Sequence, residues 1–289
     1  MRVRRAGLDA LGPGAAIAAV LALAGCGGSS SSSPPIPTVA PAKVFKLVNF
    51  EPSAPVKPGQ PVPVSFTVYQ PSGEPLTTYR KGAGPHTGVH LIAVRDDLSL
   101  IIHQHPPVGS DGKVSQLVTF PKPGTYRVLV DIYPDAAGAP RNLQLFQTVH
   151  VSGDARPEPI GTFKPVQTVD GYRFAVDGAP HLKAVEPAYL TVKITDPAGK
   201  PARLQLYYGA LAHAIFFRKG TLDYFHTHVC PPGSTACAGF GGLPTGTPTK
   251  PGVLKVGVLM PIGGTWRLFL QVESGGRILT APYTLHVSA

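Results

Sequence analysis

Cysteine, methionine and tryptophan are scarce in this sequence, with three Cys, two Met and one Trp among 289 residues. One methionine is the initiator, so an exported chain keeps only Met260, and a methionine-rich Cu(I) site is excluded. Acidic residues are few, 16 against 26 Lys and Arg, for a formal net charge of +10. The basic residues are scattered, without a dense Lys/Arg cluster or a nucleic-acid motif. The charge therefore reads as weak general affinity for an anionic envelope surface and not as a nucleic-acid footprint. Past the first 25 residues no run is long and apolar enough to span a bilayer. The signatures G-x-S-x-G, H-E-x-x-H and the phosphate loop are missing too, so an enzyme is the class favoured least, and no residue is nominated as catalytic.

What is present is apolar matter in short pieces. Hydrophobic residues make up 43% of the chain, enough for a sizeable core, and 33 Gly with 33 Pro punctuate short β-rich runs. The N-terminus has the form of a targeting segment. "MRVRRAGLDA" is basic, "AAIAAVLALA" is a short apolar run, and "LAGC" ends it at Cys26. That ending resembles the lipobox of bacterial lipoproteins, which implies cleavage before Cys26 and lipid attachment to it. A plain secretory signal with an incidental cysteine is the alternative. Residues 1–25 are thus expected to be a signal peptide, and residues 26–43, with "GGSSSSSPPIPTVAPA", a flexible and extended tether.

From Val44 onward the chain states one pattern twice. "VPVSFTVYQPSGEPL" returns as "YLTVKITDPAGKPARL", "FPKPGTYRVLVDIYP" as "MPIGGTWRLFLQVES", and "FQTVHVSG" as "PYTLHVSA". Blocks repeated in the same order mark an internal duplication. Short strands with turn signals between them predict an all-β chain of two tandem immunoglobulin-like β-sandwich domains, over residues 44–153 and 160–289.

Each copy carries three histidines at one spacing, H-x12-H-x-H: His90, His103 and His105 in "HLIAVRDDLSLIIHQHP", and His213, His226 and His228 in "HAIFFRKGTLDYFHTHV". A tight turn at Asp96-Asp97 sets His90 opposite His103 and Ile92 opposite Ile101, with His105 two residues on along the same face. A turn at Lys219-Gly220 does the same for His213, His226 and His228. Ile92, Val94 and Ile101, or Ile215, Phe217 and Tyr224, share that face, so the rings cap the edge of an apolar core. Three neutral imidazoles suit Cu(II) or Zn and leave a coordination position open. The other reading is structural: hydrogen-bonded histidines at a core edge.

His86 could join the first site, and Asp131, at a strand end, could be a fourth ligand, although its counterpart in the second copy is Gln271. His150 and His286 fall on solvated faces, and His181 in a loop. Cys230 and Cys237 flank part of an insertion, "CPPGSTACAGFGGLPTGTPTKPG", and are expected to form a disulfide. The rival is that Cys230 ligates a metal at the second site.

A histidine-led strand, a polar turn and an H-x-H strand resemble exported bacterial β-modules of the YtkA-like, heavy-metal-associated kind. The resemblance implies metal handling in the cell envelope, copper first, through His90, His103, His105, His213, His226 and His228. The proline that usually follows H-x-H is present as Pro106, but the second copy has Val229. The expectation is a protein anchored to membrane lipid through Cys26 on the extracytoplasmic face, with one three-histidine copper(II) or zinc site per domain and an envelope protein as possible partner. An immunoglobulin-like structural or protein-interaction module without metal is the alternative.

Overall fold

The computed structural model describes residues 43–80, 88–177, 180–231 and 246–289. The expected signal peptide, all of the tether but Lys43, His86, Cys237 and most of the insertion lie outside the described residues. The described residues form strands joined by turns, and no helix among them is long and apolar enough to cross a membrane.

The first repeat gives β1 (Lys46–Glu51), β2 (Pro61–Tyr69), β3 (Val89–Arg95), β4 (Ile101–Gln104), β5 (Lys113–Thr119), β6 (Gly124–Ile132) and β7 (Leu143–Val151). They pair as two sheets, β1-β2-β5 and β4-β3-β6-β7. In β2, "PVPVSFTVY" alternates so that Val64, Phe66 and Val68 point into the core, where they meet Leu91, Ala93, Val128 and Val130 of the other sheet. The second repeat gives β8 (Val166–Val169), β9 (Tyr172–Val176), β10 (Leu182–Lys183), β11 (Ala188–Thr195), β12 (Leu204–Gln205), β13 (Ala212–Arg218), β14 (Tyr224–Val229), β15 (Thr247–Lys250), β16 (Val253–Val258), β17 (Gly264–Ser274) and β18 (Arg277–Ser288). Its sheets are β15-β16-β11-β9-β8 and β10-β18-β17-β13-β14, with β12 added on β17. The fold is all-β, a tandem pair of immunoglobulin-like sandwiches, each closed over its own core.

The repeated phrases build repeated devices. Gly73 N–H donates to Gln70 and Gly199 N–H to Asp196, both at 2.9 Å, closing the two Pro-x-Gly turns. Tyr126 Oη donates to Lys122 O at 3.0 Å, and the single tryptophan, Trp266, donates from Nε1 to Ile262 O at 3.1 Å; each rests on a carbonyl four residues back. Met260 is buried in the core at the place Phe120 takes in the first copy.

A third apolar cluster joins the sandwiches. Ile92, Val94, Leu98 and Leu129 of the first pack with Ile215, Phe217 and Phe269 of the second, all nearly inaccessible to solvent. Strand β3 is therefore buried along both faces, with Leu91 and Ala93 turned to its own core and Ile92 and Val94 to the neighbouring sandwich. β13 behaves alike, Ala214 and Phe216 inward and Ile215 and Phe217 outward. Strands buried on both faces read as continuous apolar runs, as "LIAV" and "AIFF" do.

Candidate functional site

The histidine hairpins form in the expected places but in a different register. Ile92 lies opposite His103 and Val94 opposite Ile101, where Ile92 was expected to face Ile101. In the second copy His213 lies opposite His228 and Ile215 opposite His226, where His213 was expected to face His226. The reason is the tip. Four residues, Asp96–Ser99 and Lys219–Leu222, turn the chain in place of two, with Leu98 and Leu222 at φ of 61° and 59°. Leu98 spends that unusual backbone on burying its side chain in the inter-sandwich cluster. The resulting shift is two residues, which returns each side chain to the face it was expected to take.

The three histidines of each copy thus share a face, and the structure brings all six to one place. The expectation of one separate site per domain is corrected here. The outward faces of β3–β4 and β13–β14 lie against each other, so both triads enter one nest, next to the apolar cluster through Ile92, opposite His103, and Ile215, opposite His226. Ring centroids of His103 and His213 stand 4.8 Å apart, and those of His90 and His226 5.2 Å. His105 with His213 and His228 with His90 repeat the reciprocity at 5.8 and 6.1 Å. These histidine–histidine contacts between the copies mirror one another, as across a two-fold axis, and His103 with His226, at 5.3 Å, is its own mirror. His90, His103 and His228 are at most 4% exposed and His213 is fully buried, so these rings are not the half-sheltered rim the sequence suggested, while His226 stays half-buried. The second sandwich supplies the missing cover.

Outer hydrogen bonds set which ring nitrogen faces inward. His103 Nδ1 donates to Gln271 Oε1 at 3.0 Å across the domain boundary, leaving Nε2 to the nest. His213 Nε2 donates to Tyr207 O at 2.7 Å, which turns the Nδ1 lone pair inward, 3.3 Å from His226 Nε2. Such partners fix tautomer and ring orientation in metal sites. Two buried nitrogens, His226 Nδ1 and His228 Nε2, have no hydrogen-bond partner among the described residues. Donor atoms of His103, His213 and His226 lie within 4.8 Å of one another, as do those of His90, Asp131 and His226.

Burial pushes the imidazoles of His103, His105, His226 and His228 well below the ordinary histidine range, and the neighbouring rings add to the shift. Burial brings His213 to about 3, against the opposing pull of the Tyr207 carbonyl. These five rings are neutral at neutral pH, the form that coordinates metal.

Asp131 stands directly opposite His90 on β6, and Gln271 opposite His213 on β17. The carboxylate accepts from Asn142 Nδ2 at 2.6 Å and Tyr224 Oη at 3.1 Å, with His90 Nδ1 at 3.3 Å. The aromatic cover was not foreseen. Tyr207 and Tyr208 sit in the turn before β13, where Tyr208 and Gly209 take φ of 46° and 76°. The Tyr208 ring stacks on His105 at 4.0 Å and 8°, and Tyr207 Oη donates to His103 O at 3.2 Å. "YYG", with two positive-φ positions, is a turn signal of the two-residue kind, but the sequence does not tell which side of the sheet it closes over.

The other candidates lie apart. His150, His181 and His286 are exposed. Cys230 is buried beside Ala210 at the end of β14 and belongs to neither converging donor set, while Cys237 lies outside the described residues. Arg95 and Arg218 each stand five residues after the first histidine of their copy, and each guanidinium crosses a glycine, Gly124 or Gly264, where a Cβ would come within 2.8 Å of its Nε.

The model of a family described as a domain of unknown function, DUF8832, matches residues 44–149 and again 167–289. No curated protein matches the sequence. Among solved structures, invasin, a bacterial integrin-binding protein, aligns at 14% identity and TM-score 0.26 over 85% of this chain and 39% of its own. A Salmonella alpha-2-macroglobulin mutant aligns at 15% and 0.24, over 87% and 15%. A chimeric titin Z1Z2 aligns at 11% and 0.22, over 86% and 98%. This chain spans well under two thirds of the invasin and macroglobulin chains. Scores this low carry no argument, and the two-sandwich assignment stands on strand pairing and on the twice-matched family model.

Proposed function

The chain belongs to the DUF8832 family, and from its site we infer a two-module immunoglobulin-like binding protein whose inter-module histidine nest holds copper(II) or zinc. The coarser part, a duplicated immunoglobulin-like module of structural or interaction type, follows from the fold. One observation carries the metal: the inward nitrogens of His103, His213 and His226 converge within 4.8 Å, with outer hydrogen bonds from His103 and His213 orienting two of the lone pairs. Buried neutral imidazoles turned toward each other gain from a shared cation what they lack from solvent. Nothing in the site pairs a nucleophile with a base, so a binding role fits it better than an enzyme. Export with lipid anchorage at Cys26 and metal buffering or delivery in the envelope complete the reading, the resemblance to YtkA-like modules supporting it; loss of Cys26→Ala from the membrane fraction checks the anchor.

The metal-free alternative draws support from the apolar cluster that joins the sandwiches and from the hydrogen bonds His103 and His213 already make. In that case the nest is mortar between two sandwiches. Titration of untagged protein with copper(II) or zinc separates the two. Binding at neutral pH is expected, weakened at least tenfold by His103→Ala and likewise by His213→Ala, although the two residues lie in different domains. No uptake by the wild type leaves the module reading alone.

A further inference from the structure

Six imidazoles and a carboxylate are more than one ion takes, since zinc in proteins is almost always four-coordinate. The nest divides its donors into two sets that meet at one ring: His103, His213 and His226 all imidazole, and His90, Asp131 and His226 mixed. In each set one pair of donors has the same spacing. His213 Nδ1 and His226 Nε2 are 3.3 Å apart, and so are His90 Nδ1 and Asp131 Oδ2. That is the edge of a coordination tetrahedron with metal–ligand bonds of about 2.0 Å. It is long for an imidazole–carboxylate hydrogen bond, which closes to about 2.7–2.9 Å when charge-assisted. His226 faces the first set through Nε2, and its Nδ1 is sealed from solvent without a partner among the described residues.

We propose that the nest is a two-ion centre for copper(II) or zinc, with the ring of His226 bridging the ions through both nitrogens. The proposal rests on the metal reading above. On forming the bridge His226 releases its single ring proton to solvent and binds as imidazolate, and nothing is oxidised or reduced. Two bonds of ~2.0 Å and the width of the ring hold the ions about 6 Å apart. The duplication explains why the halves differ. Asp131 brings a negative charge to one ion, whereas Gln271, at the equivalent position, is neutral and serves to orient His103. Oxygen ligands beside imidazole remain compatible with both metals.

The experiment loads untagged full-length protein with copper(II) and reads metal per chain and the EPR signal on one sample. Two coppers per chain are expected, with a signal far below that of two isolated ions because the bridge couples their spins. Asp131→Asn, nearly isosteric, is expected to leave one copper per chain with the full signal of a single ion, and circular dichroism checks its fold. One copper per wild-type chain, or two with full signal, overturns the bridge and leaves the metal reading standing. Zero uptake overturns both. An Asp131→Asn variant that keeps two coupled ions overturns the mixed set.

Discussion

A buried imidazole has two forms that differ by a charge, and the nest holds five of its rings in the neutral one. Because the folded values of His103, His105, His213, His226 and His228 are lowered, the unfolded chain binds more protons than the folded one below about pH 6.5. Above that value both states are neutral and the rings contribute no pH dependence. As pH falls through it, stability is lost progressively, and for His213 the loss continues down to about 3. Each such group adds a slope of about 1.4 kcal/mol per pH unit, so even two of them cost roughly 3 kcal/mol over one full unit. Metal-free protein should therefore show a clearly lower urea midpoint at pH 5.5 than at pH 7.5. A midpoint that stays level would mean that the rings are solvated or already protonated in the folded state.

Strands and turns carried most of what could be read in advance. The duplication, the sandwich class, the hairpins and the shared face of each histidine triad all follow from alternation and from Gly and Pro placement, which are local signals. The register followed a two-residue tip, whereas Leu98 and Leu222 adopt positive φ to make it four, and no local rule favours leucine there. The merging of two triads was not legible from spacing, since contacts between sandwiches are non-local. Its trace was present in "LIAV" and "AIFF", where the absence of polar alternation says that the outward face is covered as well. The glycine-over-arginine motif makes a sharp test of this level. Gly264 has φ of 132° and a Cβ there would meet Arg218 Nε at 2.8 Å, so Gly264→Ala should cost more than about 1 kcal/mol, read as a lowered denaturation midpoint. A neutral effect would mean that the arginine swings aside freely.

The two sandwiches are held by more than the chain that links them. Residues 152–159 are exposed, and the linker's ties include Arg95 Nη2 to Arg156 O at 3.0 Å, Glu158 N to Asp97 at 2.9 Å, Ser152 N to Val56 O at 2.8 Å and the Lys122–Glu158 ion pair at 2.5 Å, all to the first sandwich. The joint itself is the apolar cluster of Ile92, Val94, Leu98 and Leu129 against Ile215, Phe217 and Phe269, with the histidine nest beside it. Burying such side chains contributes about 1.5–3 kcal/mol each before the cost of association, enough to keep the halves together without a covalent link. A protease site placed between Ser152 and Asp154 turns this into an experiment. After cleavage at pH 7.5 the halves should still elute together on size exclusion, because the apolar face and the neutral rings are unchanged. Below pH 6 the same complex should come apart. The joined rings, with centroids as close as 4.8 Å across the joint, resist protonation, whereas the same rings once separated are solvated and take up protons below about pH 6.5, so acid favours the separated halves. Added zinc at pH 7.5 should resist that dissociation as the pH is lowered, since only the joined halves present His103 together with His213 and His226. Halves that separate at neutral pH would show that the joint depends on the linker, and halves that stay together at pH 5 would show that the rings do not control it.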